Sequence, residues 1–218
     1  MQISISSEVT ALCPKTTLGV LCYEIDVEPS SPELLQLFDD TVAKLCRDYS
    51  LESVTKNPHI ASTRQAYKAF GKSPSEYRNA AEAMLRRITK GNGLYHVNNA
   101  VEINNLVSVS SGYSVGSYDM DELRGDITLH RAEDGAHYEG IGKGSVNIEH
   151  LPVLYDELGP FGNPGSDSRR AMMKTGIHKV LSVVYSFDGR EALEGWTERY
   201  SQLLNMYCQI TYVDLRII

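Results

Sequence analysis

Alternating apolar and polar side chains open the chain, so QISIS and then TLGVLCYEIDV (17–27) read as strands. Helical spacing takes over at SSPELLQLFDDTVAKLC. Ser31 stands at the N-cap, Pro32 at the first helical position, and Leu34, Leu35, Phe38, Val42, Leu45 and Cys46 share one face. PHIASTRQAYKAFG (58–71) predicts a shorter helix stopped by Gly71. A capping box of Ser73 and Glu76 around Pro74 predicts another helix over 74–90. It turns Tyr77, Ala80, Ala81, Met84, Leu85 and Ile88 inward, and KGNG ends it. Val101, Ile103, Val107 and Val109 alternate as a strand would. From about residue 113 short strand-like runs follow between turns: YSVGSY, DITLHRA, AHYEGIG and LPVLYDE. HKVLSVVYSF is β-rich and long enough for a central strand. Ala192, Trp196, Tyr200, Leu203 and Tyr207 form a helical stripe that predicts core, and ITYVDLRI closes as a strand. Helices early, strands in the middle and a helix plus strand at the end predict α+β, not a βαβ series.

Size and composition narrow the class without naming a function. The 218 residues fit one large domain or two small ones, and no repeat, low-complexity segment or linker divides them. A single domain over 1–218 is the expectation. No apolar run approaches the ~20 residues of a membrane span, and QISISSEV has neither the basic start nor the apolar core of a signal peptide. The four cysteines are scattered without a C-x-x-C pair, as structural thiols of a reducing compartment would be, and a cytoplasmic location is expected. The net charge of -7 argues against a general nucleic-acid coat. Residues 56–90 reverse that sign, with eight basic side chains against Glu76 and Glu82. Arg64, Lys68, Arg78, Arg86 and Arg87 are therefore candidates for contact with an anionic partner. The competing reading complements a helix C-terminus and pairs Glu82 with Arg86 at i, i+4.

The stretch richest in special residues is GPFGNPGSDSRR (159–170), whose glycines and prolines dictate an irregular backbone carrying Ser166, Asp167, Ser168, Arg169 and Arg170. GYSVG (112–116) matches the nucleophile-elbow pattern around Ser114, with Asp156 and His178 following in triad order. An elbow needs a strand before it, a helix after it and a βαβ framework, and that framework is not predicted. GIGKGS (140–145) lacks full phosphate-loop spacing and reads as a turn between strands. The six histidines form no H-x-x-x-H or H-x-E pattern, so no metal and no cofactor is expected.

The run AVEINNLVSVSSGYSVGSYDMDELRGDITLHRAEDGAHYEGIG carries a resemblance. Residues 60–187 resemble the B3/4 (tRNA-binding) domain of the phenylalanyl-tRNA synthetase β subunit. Glu102 to Asn105, Gly112, the corner Ser117-Tyr118-Asp119, the strand Ile127 to Ala132 and Gly135 take the places of that domain's motifs, and VLYDE ends its strand at Asp156. STRQAYKAFGKSPSEYR upstream and SDSRR downstream make the whole chain resemble the free-standing B3/4 proteins. The resemblance implies a three-layer α+β unit with a mixed sheet or β-sandwich core covered by helices. It also implies a helix, not a strand, over 101–109, with Asn98 as its N-cap. Gly116 stands where many synthetases have a histidine. Asn163 to Asp167 replace a loop that there carries a glutamate reading the tyrosine hydroxyl.

The function implied is recognition of a tRNA or aminoacyl-tRNA end, with hydrolysis of a mischarged residue in trans as its possible chemistry. Asn105, Gly116, Tyr118, Gly162, Gly165, Ser166, Asp167 and Arg169 are the expected pocket residues. Gly162 and Gly165 would present backbone N–H groups to an ester carbonyl. Asp167 would hold the aminoacyl ammonium, and Arg169 would either pair with Asp167 or meet a phosphate. A binding module without chemistry is the rival, and a serine hydrolase built on Ser114 the lesser alternative.

Overall fold

The computed structural model describes residues 1–218. Its centre is β9 (Gly176–Ser186), the long run expected as a central strand. It pairs antiparallel along its whole length with β2 (Thr17–Val27) and on its other side with β3 (Ser114–Asp119). With β10 (Thr211–Ile217) beyond β2, these strands form an antiparallel sheet in the order β10-β2-β9-β3. A second sheet has the order β1-β4-β7-β8, from Ile3–Ile5, Ile127–Arg131, Pro152–Asp156 and Gly159–Gly162. Its β1–β4 pair is parallel and the others antiparallel. A separate hairpin joins β5 (His137–Glu139) to β6 (Ser145–Asn147).

Alternation along β2 and β9 builds two cores from one sheet. Leu18 and Val20, with Leu181, Val183 and Tyr185, face the second sheet and meet Ile127, Leu129, Leu154 and Phe161. Leu21, Tyr23, Ile25, Val180 and Val184 face three helices: α2 (Pro32–Asp48), α6 (Asn99–Ser111) and α7 (Glu191–Cys208). The result is three layers, helices on one sheet and that sheet on another, and the fold is α+β. Gly19 lets α7 lie close to the sheet, because a Cβ there would fall on Thr197 Oγ1 and lie 3.2 Å from Leu193 Cδ1. Inside the helical layer Ser182 Oγ joins Tyr23 (2.9 Å), Tyr200 (2.9 Å) and Ser117 (2.6 Å), and Asn104 Nδ2 donates to Ser117 (2.9 Å). This satisfied network ties α6 and α7 to β2, β3 and β9.

Three local expectations meet different outcomes. The stretch 101–109 is helical, capped by the Asn98 side chain, which accepts from the Val101 N–H at 2.9 Å. Its alternation arises because nearly the whole helix is buried, which removes a polar face to read. The helix expected from Ser73 begins later: α5 spans Ala80–Ile88, and its N-cap is Asn79, which accepts from the Glu82 N–H at 2.9 Å. Ser73 starts only a turn, since Ala80 N–H is held by Pro164 O at 2.7 Å from another part of the chain. Strand β8 takes the first four residues of the 159–170 stretch, so the irregular loop proper begins at Asn163. Periodicity also missed the short helices α1 (Ser7–Leu12) and α3 (Leu51–Val54); α4 (Pro58–Phe70) ends at Gly71 as read.

Candidate functional site

The loop after β8 is built around Asn163, a buried side chain with all its groups engaged. Its Oδ1 accepts from Gly165 N–H (2.6 Å) and Ser166 N–H (3.0 Å), while Nδ2 donates to Tyr138 Oη (2.6 Å) and Ser166 O (3.1 Å). This is the Asx-turn chemistry that makes Asn a turn residue. Tyr138 also donates to Ser166 O. The GIGKGS turn braces the outside: Ile141 N–H reaches Asp167 O at 3.1 Å, and Lys143 Nζ donates to Ser166 Oγ at 2.7 Å. Gly165 N–H is spent on Asn163, so it is not free to meet an ester carbonyl as expected.

Four of the expected pocket residues come together where the loop meets β3. Tyr118 Oη donates to Asp167 Oδ1 at 2.8 Å and lies 2.8 Å from Tyr185 Oη. Gly116 and Gly162 make room for that phenol. A Cβ on Gly116 would lie 2.7 Å from Tyr118 Cζ and 3.2 Å from Asp167 Oδ1, and one on Gly162 would lie 2.6 Å from Tyr118 Cε1. The gap between the glycines is therefore filled by the protein's own ring. Burial pushes the Asp167 carboxyl up to about 7, against the opposing pull of the Tyr118 hydroxyl and the Asn163 backbone. The residue as a whole keeps partial exposure.

On the outer side of the loop is a small recess of about 60 Å³, room for a compact polar group or a few waters. Gly165, Ser166, Asn163, Tyr67, Tyr77 and Arg78 line it. Tyr67 Oη is buried there without a partner, a donor left over by the fold. Lys72 braces two of its lining residues, with Nζ on Asn147 Oδ1 at 2.8 Å and 3.9 Å from the centre of the Tyr77 ring. Wider depressions lie elsewhere: about 430 Å³ beside Cys22, Lys179 and Tyr212, and about 620 Å³ beside His130, Asp134 and His137.

The remaining site expectations separate from this cluster. Arg169 is exposed and makes no ion pair, so it does not staple Asp167. The stapling arginine is Arg170, which grips Asp156 through both carboxylate oxygens (2.8 and 3.1 Å) and also donates to Gly159 O (3.1 Å) and Glu122 O (2.9 Å). Asn105 is half-buried and forms no side-chain hydrogen bond, whereas its neighbour Asn104 belongs to the buried network. Ser114 is no nucleophile elbow. It begins an antiparallel strand, is buried, and its hydroxyl lies between Asn79 Oδ1 (3.3 Å) and Ala81 N–H (3.4 Å). His178 pairs with Asp119 at 2.9 Å and Asp156 with Arg170, so no triad assembles.

The basic segment conceals an acid. Glu82 is fully buried and receives Arg64 at 2.9 Å and Arg86 at 2.9 Å, with Arg78 at 3.9 Å. Arg87 donates to Asn92 O at 3.2 Å and lies over the Tyr95 ring. Lys68 and Arg78 remain as exposed cations of the basic segment, and Arg78 lines the recess beside the loop.

A family model described as the B3/4 domain matches residues 62–189, which include α5, β3 and the whole loop. The chain belongs to the B3/4 domain family. Among solved structures, this B3/4 protein is similar to an N-terminal fragment of the phenylalanyl-tRNA synthetase beta-subunit from Pyrococcus horikoshii, with 11% identity and a TM-score of 0.47. The similarity covers 99% of this chain and 50% of that one, so the chain spans half the length of that fragment. No curated protein matches the sequence. No helix is long and apolar enough to cross a membrane.

Sequence reasoning named the Glu82–Arg86 pair and placed Asn163 in the loop, but it missed the enclosure of Glu82, the organising role of Asn163, and Tyr67 and Tyr138 altogether. The signal for Glu82 was available in part: Arg78 and Arg86 flank it at i-4 and i+4. Arg64, 18 positions away, was not inferable. The tyrosines had a compositional signal, thirteen against four phenylalanines, in a core that uses their hydroxyls.

Proposed function

We propose that this B3/4 domain binds the aminoacyl end of a tRNA against the 163–169 loop and hydrolyses a mischarged residue in trans. The observation that carries the reading is the convergence of Gly116, Tyr118, Gly162 and Asp167 at the junction of β3 and the loop, inside the matched family region. Asp167 suits two tasks. As a carboxylate it would hold the aminoacyl ammonium. With its proton affinity near neutrality it could also take a proton from the attacking water. In that step water oxygen bonds the ester carbonyl carbon, the bond to the ribose oxygen breaks, and the proton passes to that oxygen. Tyr67 Oη and Arg78, lining the recess next to the loop, would face a phosphate or ribose of the acceptor end.

The test is a panel of aminoacyl-tRNAs incubated with the pure protein, scored by release of the amino acid. One or a few should be deacylated, and Asp167→Asn should abolish release while leaving the protein folded. A second reading, binding without chemistry, is favoured by one observation: Tyr118 fills the gap between the two glycines. It predicts retention of a particular aminoacyl-tRNA with no release. Binding that never exceeds that of unrelated RNA would overturn both. For the RNA contact, Lys68→Ala and Arg78→Ala should each flatten the salt dependence by close to one unit of slope. An unchanged slope would remove these cations from the interface.

A further inference from the structure

The far edge of the first sheet is unusually open. Strand β10 has only β2 beside it, and the sequence TYVDLRI that forms it has no proline and no lysine to discourage pairing. Tyr212 is 80% exposed, and Val213 and Leu215 are exposed beside it; Met206 of α7 is 65% exposed. A bulge between Thr211 and Asp214 leaves 214–217 as the regular part of the strand.

Leu18 and Ile218 exchange both backbone bonds, at 2.8 and 2.9 Å. The register continues unbroken through Ile217 opposite Gly19, Arg216 opposite Val20, Leu215 opposite Leu21 and Asp214 opposite Cys22. Bonded and non-bonded pairs alternate in an antiparallel ladder. Ile218, Arg216 and Asp214 therefore point their N–H and C=O groups toward β2. Ile217 and Leu215 point theirs outward, unpaired.

We propose that β10 is a homodimer interface, pairing antiparallel with β10 of a second copy about a two-fold axis through Leu215. Leu215 would then exchange both backbone bonds with Leu215 of the other copy, while Ile217 would face the bulged end of that strand at Val213. The charges select this register. Asp214 falls opposite Arg216 of the other copy, and Arg216 opposite Asp214, at the non-bonded positions where side chains approach most closely. In the single chain Asp214 and Arg216 already pair with each other on one face, so the dimer closes them into a neutral square of four charges. Centring the pair on Val213 would run into the bulge, and centring it on Ile217 would set Arg216 against Ile218. On the other face, Val213, Leu215 and Ile217 form an apolar row that would meet its own copy. The contact is isologous and closed, so it stops at two chains. It joins two four-stranded sheets into one of eight and leaves β3 and its loop, at the opposite edge, open.

The test is the mass in solution, by light scattering behind a sizing column and by sedimentation, for four forms of the full chain. The natural protein should be a dimer. Arg216→Asp and Asp214→Arg each set like charges opposite one another and should give monomers with melting temperatures close to the parent's. The double variant D214R/R216D restores opposite charges and should be a dimer again. Amide exchange gives an independent readout: the Leu215 amide should exchange slowly in the dimer and fast in either single variant. A natural protein that is monomeric at every soluble concentration would overturn the proposal. So would a dimer that survives both single reversals, or a double variant that stays monomeric.

Discussion

Asp167 owes its proton affinity to its surroundings, and stability should report it. Its carboxyl is raised to about 7 in the folded chain, against an ordinary value near 4 when unfolded. Between those values the folded state holds more protons than the unfolded one, so stability falls as pH rises through the interval and is flat above it. The full difference corresponds to at most about 4 kcal/mol, which partial exposure reduces to on the order of 1–2 kcal/mol. Asp167→Asn keeps an oxygen acceptor for Tyr118 and removes the ionisation. At pH 8 it should melt higher than the parent, and the advantage should shrink as pH falls through 7 and vanish near pH 4. Parallel melting curves at both pH values would show a solvated carboxyl instead.

At the scale of elements, α4 and α5 are clamped through Glu82. Removing one partner of a buried ion pair costs about 3–5 kcal/mol because the other charge stays buried. Glu82 is completely enclosed. Glu82→Ala should therefore lower the urea midpoint substantially, and Arg64→Ala by a comparable amount. Arg78→Ala, at an exposed and longer contact, should change stability by less than about 1 kcal/mol. This is why Arg64 and Arg86 are poor probes of RNA binding: their loss would be read through unfolding. The seat of α7 on the sheet gives another test. Gly19→Ala should cost about 1–3 kcal/mol through collision with Thr197. Thr197→Ala in the same chain should recover part of that, since the nearest remaining atoms are then 3.2 and 3.3 Å away.

The whole molecule should have a stability optimum on the acid side of neutrality. Above it, Asp167 ionises in its buried setting. Below it, Asp156 and Asp188 take protons. Burial raises both, but hydrogen bonds outweigh it and hold both below the usual carboxylate range: Arg170 for Asp156, and His59, Ser186 and Tyr113 for Asp188. A carboxyl lowered by folding contributes stability above its unfolded value that is lost as pH falls through the folded one. Melting temperature measured from pH 3 to pH 8 should peak near pH 4, where the lowered carboxyls are ionised and the decline through Asp167 has only begun. Asp167→Asn should remove the decline on the alkaline side and leave the acid limb in place. A peak unchanged by that variant would detach Asp167 from the alkaline limb.

What the sequence determined alone is whatever rests on near neighbours. Ser31 and Pro32 start α2, Gly71 ends α4, and alternation marks β2 and β9, because caps and pleats are settled within a few residues. The α+β class followed from the order of those pieces. The dense glycine and proline content marked the 159–170 stretch as irregular, and its Gly162 and Asp167 do converge with Gly116 and Tyr118. The tertiary structure decided everything that depends on distant groups. Glu82 reads as a surface acid until Arg64 folds over it, and Ser73 reads as a helix start until Pro164 seizes Ala80 N–H. Arg169 reads as the partner of Asp167, yet Arg170 takes the structural role with Asp156 and leaves Asp167 to Tyr118. Periodicity records only which side of an element meets the interior. Which charge or hydroxyl waits there is set by chain segments that local pattern cannot bring together.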